Sequence, residues 1–204
     1  EMLTTKLITD DGTEYTTLHF AIIYGYVRTA IVQSVLAAAQ GHSDDLLKEV
    51  LTTTFKEDGT EYTPLCLALI RERTEKVQAL LTAAKAHSDD LLKDMLTHSF
   101  TGVDGKEYTP LHYAIHYKRQ NPVKAFLTAA KDQPALVKEM LTTTFKEYGI
   151  GCTPLYYAIS YRKTEIVNAL LTAAKDHSDD LLQEMLTTTF KEYGTEYTTL
   201  SLAI

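Results

Sequence analysis

Hydrophobic residues recur with the period of an α-helix in a segment that is repeated along the chain. The clearest example runs over residues 164–175. Its apolar residues fall on one face, at positions i, i+1, i+4, i+5 and i+8: Ile166, Val167, Leu170, Leu171 and Ala174. One apolar face on an otherwise polar segment predicts an amphipathic helix that packs against a neighbouring element. We name this segment helix B.

A second amphipathic segment follows helix B directly. Ser178 is a good N-cap residue, and Asp179 and Asp180 place carboxylates at the positive end of a helix dipole. The apolar face comprises Leu181, Leu182, Met185 and Leu186. The pattern predicts a helix, helix C, that ends near Thr189. The same start occurs at Ser43 and Ser88, and Gln133-Pro134 replaces it once, with proline suited to the first helical position.

A third helix is predicted ahead of helix B. Thr153 is a suitable N-cap and Pro154 a suitable first residue, so helix A begins there and runs to about Arg162. Between helix C and the next helix A lies Asp58-Gly59, which is a strong two-residue hairpin turn. In that register Lys56 faces Glu61 and Phe55 faces Tyr62. The pairs Tyr148-Gly149 and Tyr193-Gly194 are weaker turn signals.

These elements recur as a repeat of 44 to 47 residues. The leucine of helix A marks each copy: Leu18, Leu65, Leu111, Leu155 and Leu200. A uniform repeat predicts one quasi-linear array over residues 1–204, in which each unit packs on its neighbours. The predicted units are a partial unit 1–11, repeats at about 12–58, 59–104, 105–148 and 149–193, and a partial unit 194–204.

The phrase at the start of helix A resembles the hallmark of ankyrin repeats. The matching residues are Thr-Pro-Leu-His-Tyr-Ala at 109–114, Thr-Pro-Leu-Tyr-Tyr-Ala at 153–158, and the helix B residues Glu165-Ile166-Val167 and Leu170-Leu171. The chain departs from that family by carrying helix C where ankyrin repeats have a short loop. It also has Ala39, Ala84, Ala130 and Ala174 where the family ends helix B with glycine. The resemblance implies an all-α, ankyrin-like solenoid with short hairpin fingers and three helices per repeat.

The resemblance also indicates where a partner protein would bind. In ankyrin arrays the last residues of helix A lie on the concave face and vary because partners read them. Here these pairs are Ile23 and Tyr24, Ile70 and Arg71, His116 and Tyr117, and Ser160 and Tyr161. Tyrosine and arginine are frequent interface anchors. The competing interpretation is that the tyrosines pack against the next repeat.

Two further sets of aromatic positions follow from the same alignment. Phe20, Leu67, Tyr113 and Tyr157 are predicted to be core residues, since the family keeps leucine there. The tyrosines after the hairpin turn, Tyr15, Tyr62, Tyr108 and Tyr197, are either finger contacts or packing residues. We include Tyr62 and Tyr108 in the predicted partner-binding set.

Composition narrows the classes of partner. The formal charge of −7 disfavours binding to nucleic acid, and no apolar run is long enough for a membrane span. Cys66 and Cys152 occupy inequivalent positions and fit a reducing, cytoplasmic environment. By analogy with long-period arrays in secreted proteins of intracellular bacteria, that environment is a host cytoplasm.

No catalytic constellation is evident, so we predict no enzyme activity, no cofactor, no metal and no small-molecule substrate. His19 and His112 end the Thr-Pro-Leu-His phrase, where the family uses histidine to hydrogen-bond backbone between repeats. His42, His87 and His177 are interpreted as turn residues before helix C. Aspartate pairs such as Asp89-Asp90 are interpreted as partners of the helix dipole.

Two functions remain open at this point. The leading one is a protein-interaction module, an effector that engages a host protein through the concave helix A and hairpin surface. The alternative is a structural spacer that positions a domain outside this segment. Because residues 1–3 begin inside a helix C and residues 201–204 stop inside a helix A, the sequence predicts part of a longer array with incompletely capped ends.

Overall fold

A computed structural model describes residues 3–8, 13–24, 29–57, 59–147, 150–192 and 195–202. These residues form twelve α-helices and ten short strands, with the strands paired into five two-stranded hairpins. The chain divides into two compact units, Glu1–Glu107 and Tyr108–Ile204. The sequence-based prediction of one continuous array over residues 1–204 therefore stays a prediction.

The first unit holds two three-helix repeats. Its helices are α1 (Thr17–Tyr24), α2 (Thr29–His42), α3 (Asp44–Thr52), α4 (Pro64–Ile70), α5 (Thr74–His87) and α6 (Asp89–Thr97). Its strands are β1 (Leu7–Ile8), β2 (Glu14–Tyr15), β3 (Phe55–Glu57), β4 (Thr60–Tyr62) and β5 (Phe100–Thr101). Strand β6 (Glu107–Tyr108) lies at the boundary.

The second unit repeats the same order of elements. Its helices are α7 (Pro110–His116), α8 (Gln120–Ala130), α9 (Pro134–Thr142), α10 (Pro154–Ser160), α11 (Thr164–His177) and α12 (Asp179–Thr187). Its strands are β7 (Phe145–Glu147), β8 (Ile150–Cys152), β9 (Thr189–Glu192) and β10 (Thr195–Thr198), and one 3-10 turn spans Leu200–Leu202. Ala203 and Ile204, in which the predicted terminal helix A would end, lie outside the described residues.

The third helix of each repeat is confirmed. In α12 the Ser178 hydroxyl accepts a hydrogen bond from the Leu181 N–H at 3.1 Å, and Asp179 and Asp180 occupy the first turn. The same cap starts α3 at Ser43 and α6 at Ser88. Proline at the first position starts α9. Side-chain caps satisfy backbone N–H groups that have no partner inside the helix, which is why the sequence signal was specific.

Helix A also begins as predicted, and its end has an unexpected backbone conformation. The Thr153 hydroxyl accepts from the Tyr156 N–H, with Pro154 as the first helical residue. The residue that follows the C-cap has a positive φ in three repeats: 60° at Glu72, 61° at Lys118 and 53° at Arg162. Left-handed geometry lets two further N–H groups close the last turn, as the bonds to the carbonyls of Ile159 and Ala158 illustrate.

The hairpins have the predicted register where the structure describes them. Phe55 pairs with Tyr62 and Lys56 with Glu61, and Gly59 has a φ of 83° that suits a tight turn. The other turn positions named from the sequence, Asp58, Tyr148, Gly149, Tyr193 and Gly194, lie outside the described residues.

The core of each unit lies between equivalent helices of neighbouring repeats. In the first unit α1 packs on α4 and α2 on α5, and in the second α7 packs on α10 and α8 on α11. Neighbouring hairpins are joined by aromatic stacking: Tyr15 on Phe55 at 4.6 Å between ring centroids, and Tyr108 on Phe145 at 4.7 Å. Stacked rings bury large apolar area in a fixed geometry, so they fix the spacing of the hairpins within each unit.

Candidate protein-binding surface

We call the last residues of the helix A segments the helix A edge. In the first unit the edge comprises Ile23, Tyr24, Ile70 and Arg71. Tyr24 is 49% exposed, whereas Ile23 and Ile70 are half-buried. The Arg71 guanidinium forms an ion pair with Glu57 of strand β3. The arginine is therefore already held by its own hairpin.

Phe20 extends the exposed aromatic area of the first unit. Its ring lies 4.6 Å from that of Tyr24 and is 45% exposed, so the prediction of a core position is wrong. The equivalent residues Leu67, Tyr113 and Tyr157 are buried as predicted. The reason is visible at Tyr157, which packs on His116 of the preceding repeat. No described helix precedes α1 to cover Phe20 in the same way.

In the second unit the edge comprises His116, Tyr117, Ser160 and Tyr161. The two tyrosines flank the histidine, with ring centroids 4.7 Å from His116 for Tyr117 and 5.8 Å for Tyr161. All three rings are half-buried, and Ser160 is exposed. Three partly accessible rings and one exposed serine, whose hydroxyl donates to the carbonyl oxygen of Tyr157, thus lie together at the ends of α7 and α10.

Buried aromatic residues support this edge from below. Tyr113 lies 4.3 Å from Tyr117, and Tyr157 lies 4.8 Å from Tyr161, both measured between ring centroids. Nδ1 of His116 is hydrogen-bonded to the hydroxyl of Tyr157. Because Tyr113 and Tyr157 are only 2% and 1% exposed, the outer rings rest on rings that are packed in the core. The arrangement presents aromatic surface with little side-chain freedom to lose on binding.

Two hairpin tyrosines assigned to partner binding are instead buried. Tyr62 is 7% exposed and Tyr108 is 1% exposed, and the latter stacks on Phe145. The packing alternative accounts for both burials, and the Tyr108 ring also lies 5.5 Å from that of Tyr113 in helix A. Tyr15 is buried in the same manner, whereas Tyr197 is 36% exposed. We therefore leave Tyr62 and Tyr108 out of the helix A edge.

Two cations adjoin the edge in the second unit, and the sequence reasoning did not single them out. Lys118 and Arg162 follow Tyr117 and Tyr161 directly, and both are exposed. Neither side chain forms an ion pair or hydrogen bond with the residues that the structure describes. The sequence signal that could have identified them is that a cation follows the last tyrosine of helix A in both the third and the fourth repeats.

His19 and His112 are buried core residues, but the hydrogen bond to backbone between repeats that was expected of each is not formed with standard geometry. The Thr16 hydroxyl lies 2.7 Å from Nδ1 of His19, and the Thr109 hydroxyl lies at the same distance from Nδ1 of His112. Burial lowers the pKa of each histidine to about 4, opposed in part by backbone groups of the next repeat. Nε2 makes no hydrogen bond of standard geometry within the described chain, although those backbone groups lie close enough to affect the pKa. Both rings are neutral parts of the core near pH 7.

The histidines before helix C do more than occupy a turn. Nε2 of His87 lies 2.9 Å from the carbonyl oxygen of Asp44, and Nε2 of His177 lies 2.8 Å from that of Pro134. Each therefore links the end of helix B to the start of helix C in the preceding repeat. The recurrence of histidine before helix C was the available sequence signal for this bond. The sequence of one repeat could not show that the ring contacts the preceding repeat.

Lys76 links repeats within the first unit. It is 3% exposed, and its Nζ donates to the carbonyl oxygens of Ala21 and Ile22 at 2.9 Å each. Burial, followed by the charge of Arg73, lowers the pKa of this lysine. In the second repeat the equivalent carbonyls, of Ala68 and Leu69, accept from backbone N–H groups. A buried lysine thus supplies donors at the end of α1.

Other chemistry on the described residues is limited. Cys66 and Cys152 are buried free thiols, and burial raises the pKa of the Cys66 thiol to about 12, which makes it a poor nucleophile. No group of three His, Cys, Asp or Glu side chains within the described ranges is arranged to hold a metal ion. Among the helices of these residues, none has both the length and the apolarity needed to cross a membrane.

Comparisons with known proteins agree with this architecture. A family model described as ankyrin repeats (3 copies) matches residues 34–133 and 82–180. The fold is similar to the crystal structure of the Legionella pneumophila effector AnkC, with a TM-score of 0.56 and 18% sequence identity. That match covers 98% of this chain and 65% of the other, so the chain spans less than two thirds of its structural neighbour. No curated protein matches the sequence.

Proposed function

Because the chain belongs to the ankyrin-repeat family, whose repeats generally serve as protein-interaction modules, we propose that it binds a partner protein through the helix A edge. The edge comprises Ile23, Tyr24, Ile70, Arg71, His116, Tyr117, Ser160 and Tyr161. The observation that carries the proposal is the support of Tyr117 and Tyr161 by buried aromatic rings. Phe20 adds aromatic area to this edge in the first unit.

The energetic argument concerns preorganisation. Tyrosine contributes large amphipathic contact area, and tyrosine is one of the residues most enriched at interface hot spots. Ordering a free side chain on binding costs about 0.5–1.5 kcal/mol. Rings already packed at 4.3 and 4.8 Å from buried neighbours avoid much of that loss. A partner that covers them gains apolar burial with little opposing entropy.

The proposal extends to the setting in which binding occurs. The similarity of fold to a Legionella pneumophila effector supports a bacterial effector that acts on a host protein in the host cytoplasm. Shared architecture is the support for this step, and the helix A edge supplies the contact surface.

A spacer function is the second candidate, and the bonds between repeats favour it. His87, His177 and Lys76 each tie one repeat to the preceding repeat of the same unit. Such bonds stiffen an array, which suits a chain that sets the distance between other domains. A spacer does not require partly accessible tyrosines at equivalent positions such as Tyr117 and Tyr161, so variants of those residues distinguish the two functions.

The test combines site-specific crosslinking with affinity measurement. A photo-crosslinking residue at Ser160 should capture the partner from host lysate, and one at Thr172, exposed in α11, should not. With the captured protein identified by mass spectrometry and purified, Tyr117→Ala/Tyr161→Ala should weaken binding by about tenfold or more, equal to about 1.4 kcal/mol. Thermal unfolding is measured in parallel to establish that the variant is folded.

Tyr197→Ala is the matched control, since Tyr197 is an exposed tyrosine outside the edge. It should leave the affinity unchanged. Unchanged affinity in the double variant, or crosslinking from Thr172 alone, would contradict binding through the helix A edge and favour the spacer.

A further inference from the structure

We infer that the helix A edge of the second unit recognises an acidic segment of its partner, held between Lys118 and Arg162 with its apolar groups on Tyr117 and Tyr161. This inference rests on the proposed function and specifies the chemistry of the partner. It is carried by two exposed cations that have no ion-pair or hydrogen-bond partner among the described residues, beside half-buried aromatic rings.

The local charge is opposite to that of the whole chain. The protein carries a formal charge of −7, yet residues 116–124 contain Lys118, Arg119 and Lys124 and no acidic residue. Residues 160–163 contain Arg162 and Lys163, and the next acid along the chain is Glu165 in the first turn of α11. A basic strip on an acidic protein gives a local attraction for acidic partners that the net charge of the chain does not provide.

Backbone geometry gives no reason for cations at these positions. Lys118 and Arg162 have φ values of 61° and 53°, in the left-handed region that favours glycine. Glycine occupies the equivalent position in the first repeat, at Gly25. A long charged side chain there keeps some backbone strain while it projects beyond the end of helix A, which is consistent with a requirement outside the fold.

In the first unit, by contrast, the cation on the helix A edge is paired with an acid of the same unit. Arg71 occupies the position equivalent to Tyr117 and forms an ion pair with Glu57, and the next residue is Glu72 rather than a cation. Its edge is therefore neutralised from within the unit. In the second unit, no acid among the side chains that the structure describes pairs with Lys118 or Arg162.

The spacing of the two cations restricts the shape of the segment. Lys118 and Arg162 follow equivalent helices, α7 and α10, which pack side by side. Packed helices lie about 8–10 Å apart. A polyproline II segment rises about 3.1 Å per residue with three residues per turn, so carboxylates at i and i+3 lie about 9 Å apart on one face. Aromatic surfaces are the usual docking sites for this conformation.

The probe is a fluorescein-labelled peptide of four Glu-Pro-Pro triplets, titrated with the full chain and followed by fluorescence anisotropy. We expect binding that weakens about tenfold when salt is raised from about 50 to about 300 mM, because screening acts on exposed charges. The Gln-Pro-Pro peptide should bind at least about tenfold more weakly, since it retains shape and loses charge.

Charge-reversal variants localise the effect. Lys118→Glu/Arg162→Glu should weaken peptide binding by about tenfold or more. Lys131→Glu/Lys175→Glu changes the net charge equally at exposed residues of the same unit and should leave binding unchanged. Equal effects of the two double variants would overturn the inference, because binding would then follow net charge alone.

Further outcomes separate this inference from the proposed function. Tighter binding of a twelve-nucleotide single-stranded RNA than of the acidic peptide would overturn the inference in favour of a general anion surface. If the crosslinked partner loses affinity with Tyr117→Ala/Tyr161→Ala but not with the charge reversal, the proposed function stands and the acidic partner is wrong. Absence of peptide binding at low salt also overturns the inference.

Discussion

Individual buried side chains determine how the fold responds to acid. His19 and His112 are fully buried, each beside a threonine hydroxyl and close to the phenylalanine of the next hairpin, Phe55 or Phe145. Burial lowers the pKa of both to about 4, whereas an unfolded histidine titrates near 6.5. The unfolded chain therefore takes up protons first as the pH falls.

This difference predicts a loss of stability between pH 6.5 and pH 4. Stability from the neutral rings is fully present above pH 6.5 and decreases towards pH 4, by roughly 3 kcal/mol per histidine at the acid end. Urea unfolding measured across this range should show the decrease. His19→Cys/His112→Cys should show a smaller one, since Cys66 occupies the equivalent site and pairs with Thr63. An equal loss in the variant would place the acid sensitivity elsewhere.

At the same scale, the sequence predicted the exposure of individual residues only in part. Leu67, Tyr113 and Tyr157 are buried as expected, but Phe20 at the equivalent position is exposed. Exposure depends on whether a neighbouring repeat covers the side chain, and one repeat considered alone does not contain that information. Tyr62 and Tyr108 were assigned to the surface for the same reason, since stacking between hairpins is a property of two repeats.

Helix ends are the elements in which local backbone strain is concentrated. The residue that follows the C-cap of helix A in the second, third and fourth repeats has a positive φ without being glycine. A left-handed conformation costs roughly 1–2 kcal/mol in a residue with a Cβ atom. Replacement by glycine removes this cost. Because glycine is more flexible in the unfolded chain, about 0.4–1 kcal/mol of the resulting gain in stability is offset.

Arg162→Gly should therefore raise the free energy of unfolding, by up to about 1 kcal/mol, or about 2–4 °C in the thermal midpoint for a chain of this size. Arg162→Ala keeps the Cβ atom and should not stabilise. Thermal unfolding followed by circular dichroism compares the two. A midpoint that rises equally in both variants would attribute the effect to loss of the charge.

Helix C is the element that the sequence identified most completely. Its serine cap, acidic first turn and apolar face are all local features, and all are present in α12. The bond that links helix B to the helix C of the preceding repeat was not predictable, because it joins His177 and Pro134 across 43 residues. Local chemistry determines where a helix starts, whereas its docking depends on partners distant in sequence.

His177→Ala should cost about 1 kcal/mol, the usual net value of one intramolecular hydrogen bond. His42→Ala is the matched control, because His42 precedes helix C in the first repeat and is exposed. Chemical denaturation of the two variants gives the comparison. Equal destabilisation would mean that loss of the turn residue, and not of the bond to Pro134, is responsible.

On the scale of the whole molecule, stability in a repeat array is built from intrinsic terms and contacts between neighbours. In the first unit Lys76 provides such a contact, with its Nζ shared between the carbonyl oxygens of Ala21 and Ile22. The equivalent position in the fourth repeat is Ile166, which is buried and apolar. The interface between the first two repeats therefore includes a buried amine, and we expect the loss of that amine to destabilise the first unit.

Lys76→Met should weaken the first unit while leaving the second intact. Methionine fills comparable volume but donates no hydrogen bond, so the carbonyl oxygens of Ala21 and Ile22 both lose the lysine as a donor, at about 1–3 kcal/mol for a group left unsatisfied. Hydrogen exchange followed by mass spectrometry should show lost protection in α1, at Thr17–Tyr24, and unchanged protection in α10 and α11. Lys124→Met, at an exposed lysine of α8, controls for loss of a charge. Equal loss of protection in both units would show that the chain unfolds as one cooperative block, since nearest-neighbour coupling predicts an effect that fades with distance from the altered interface.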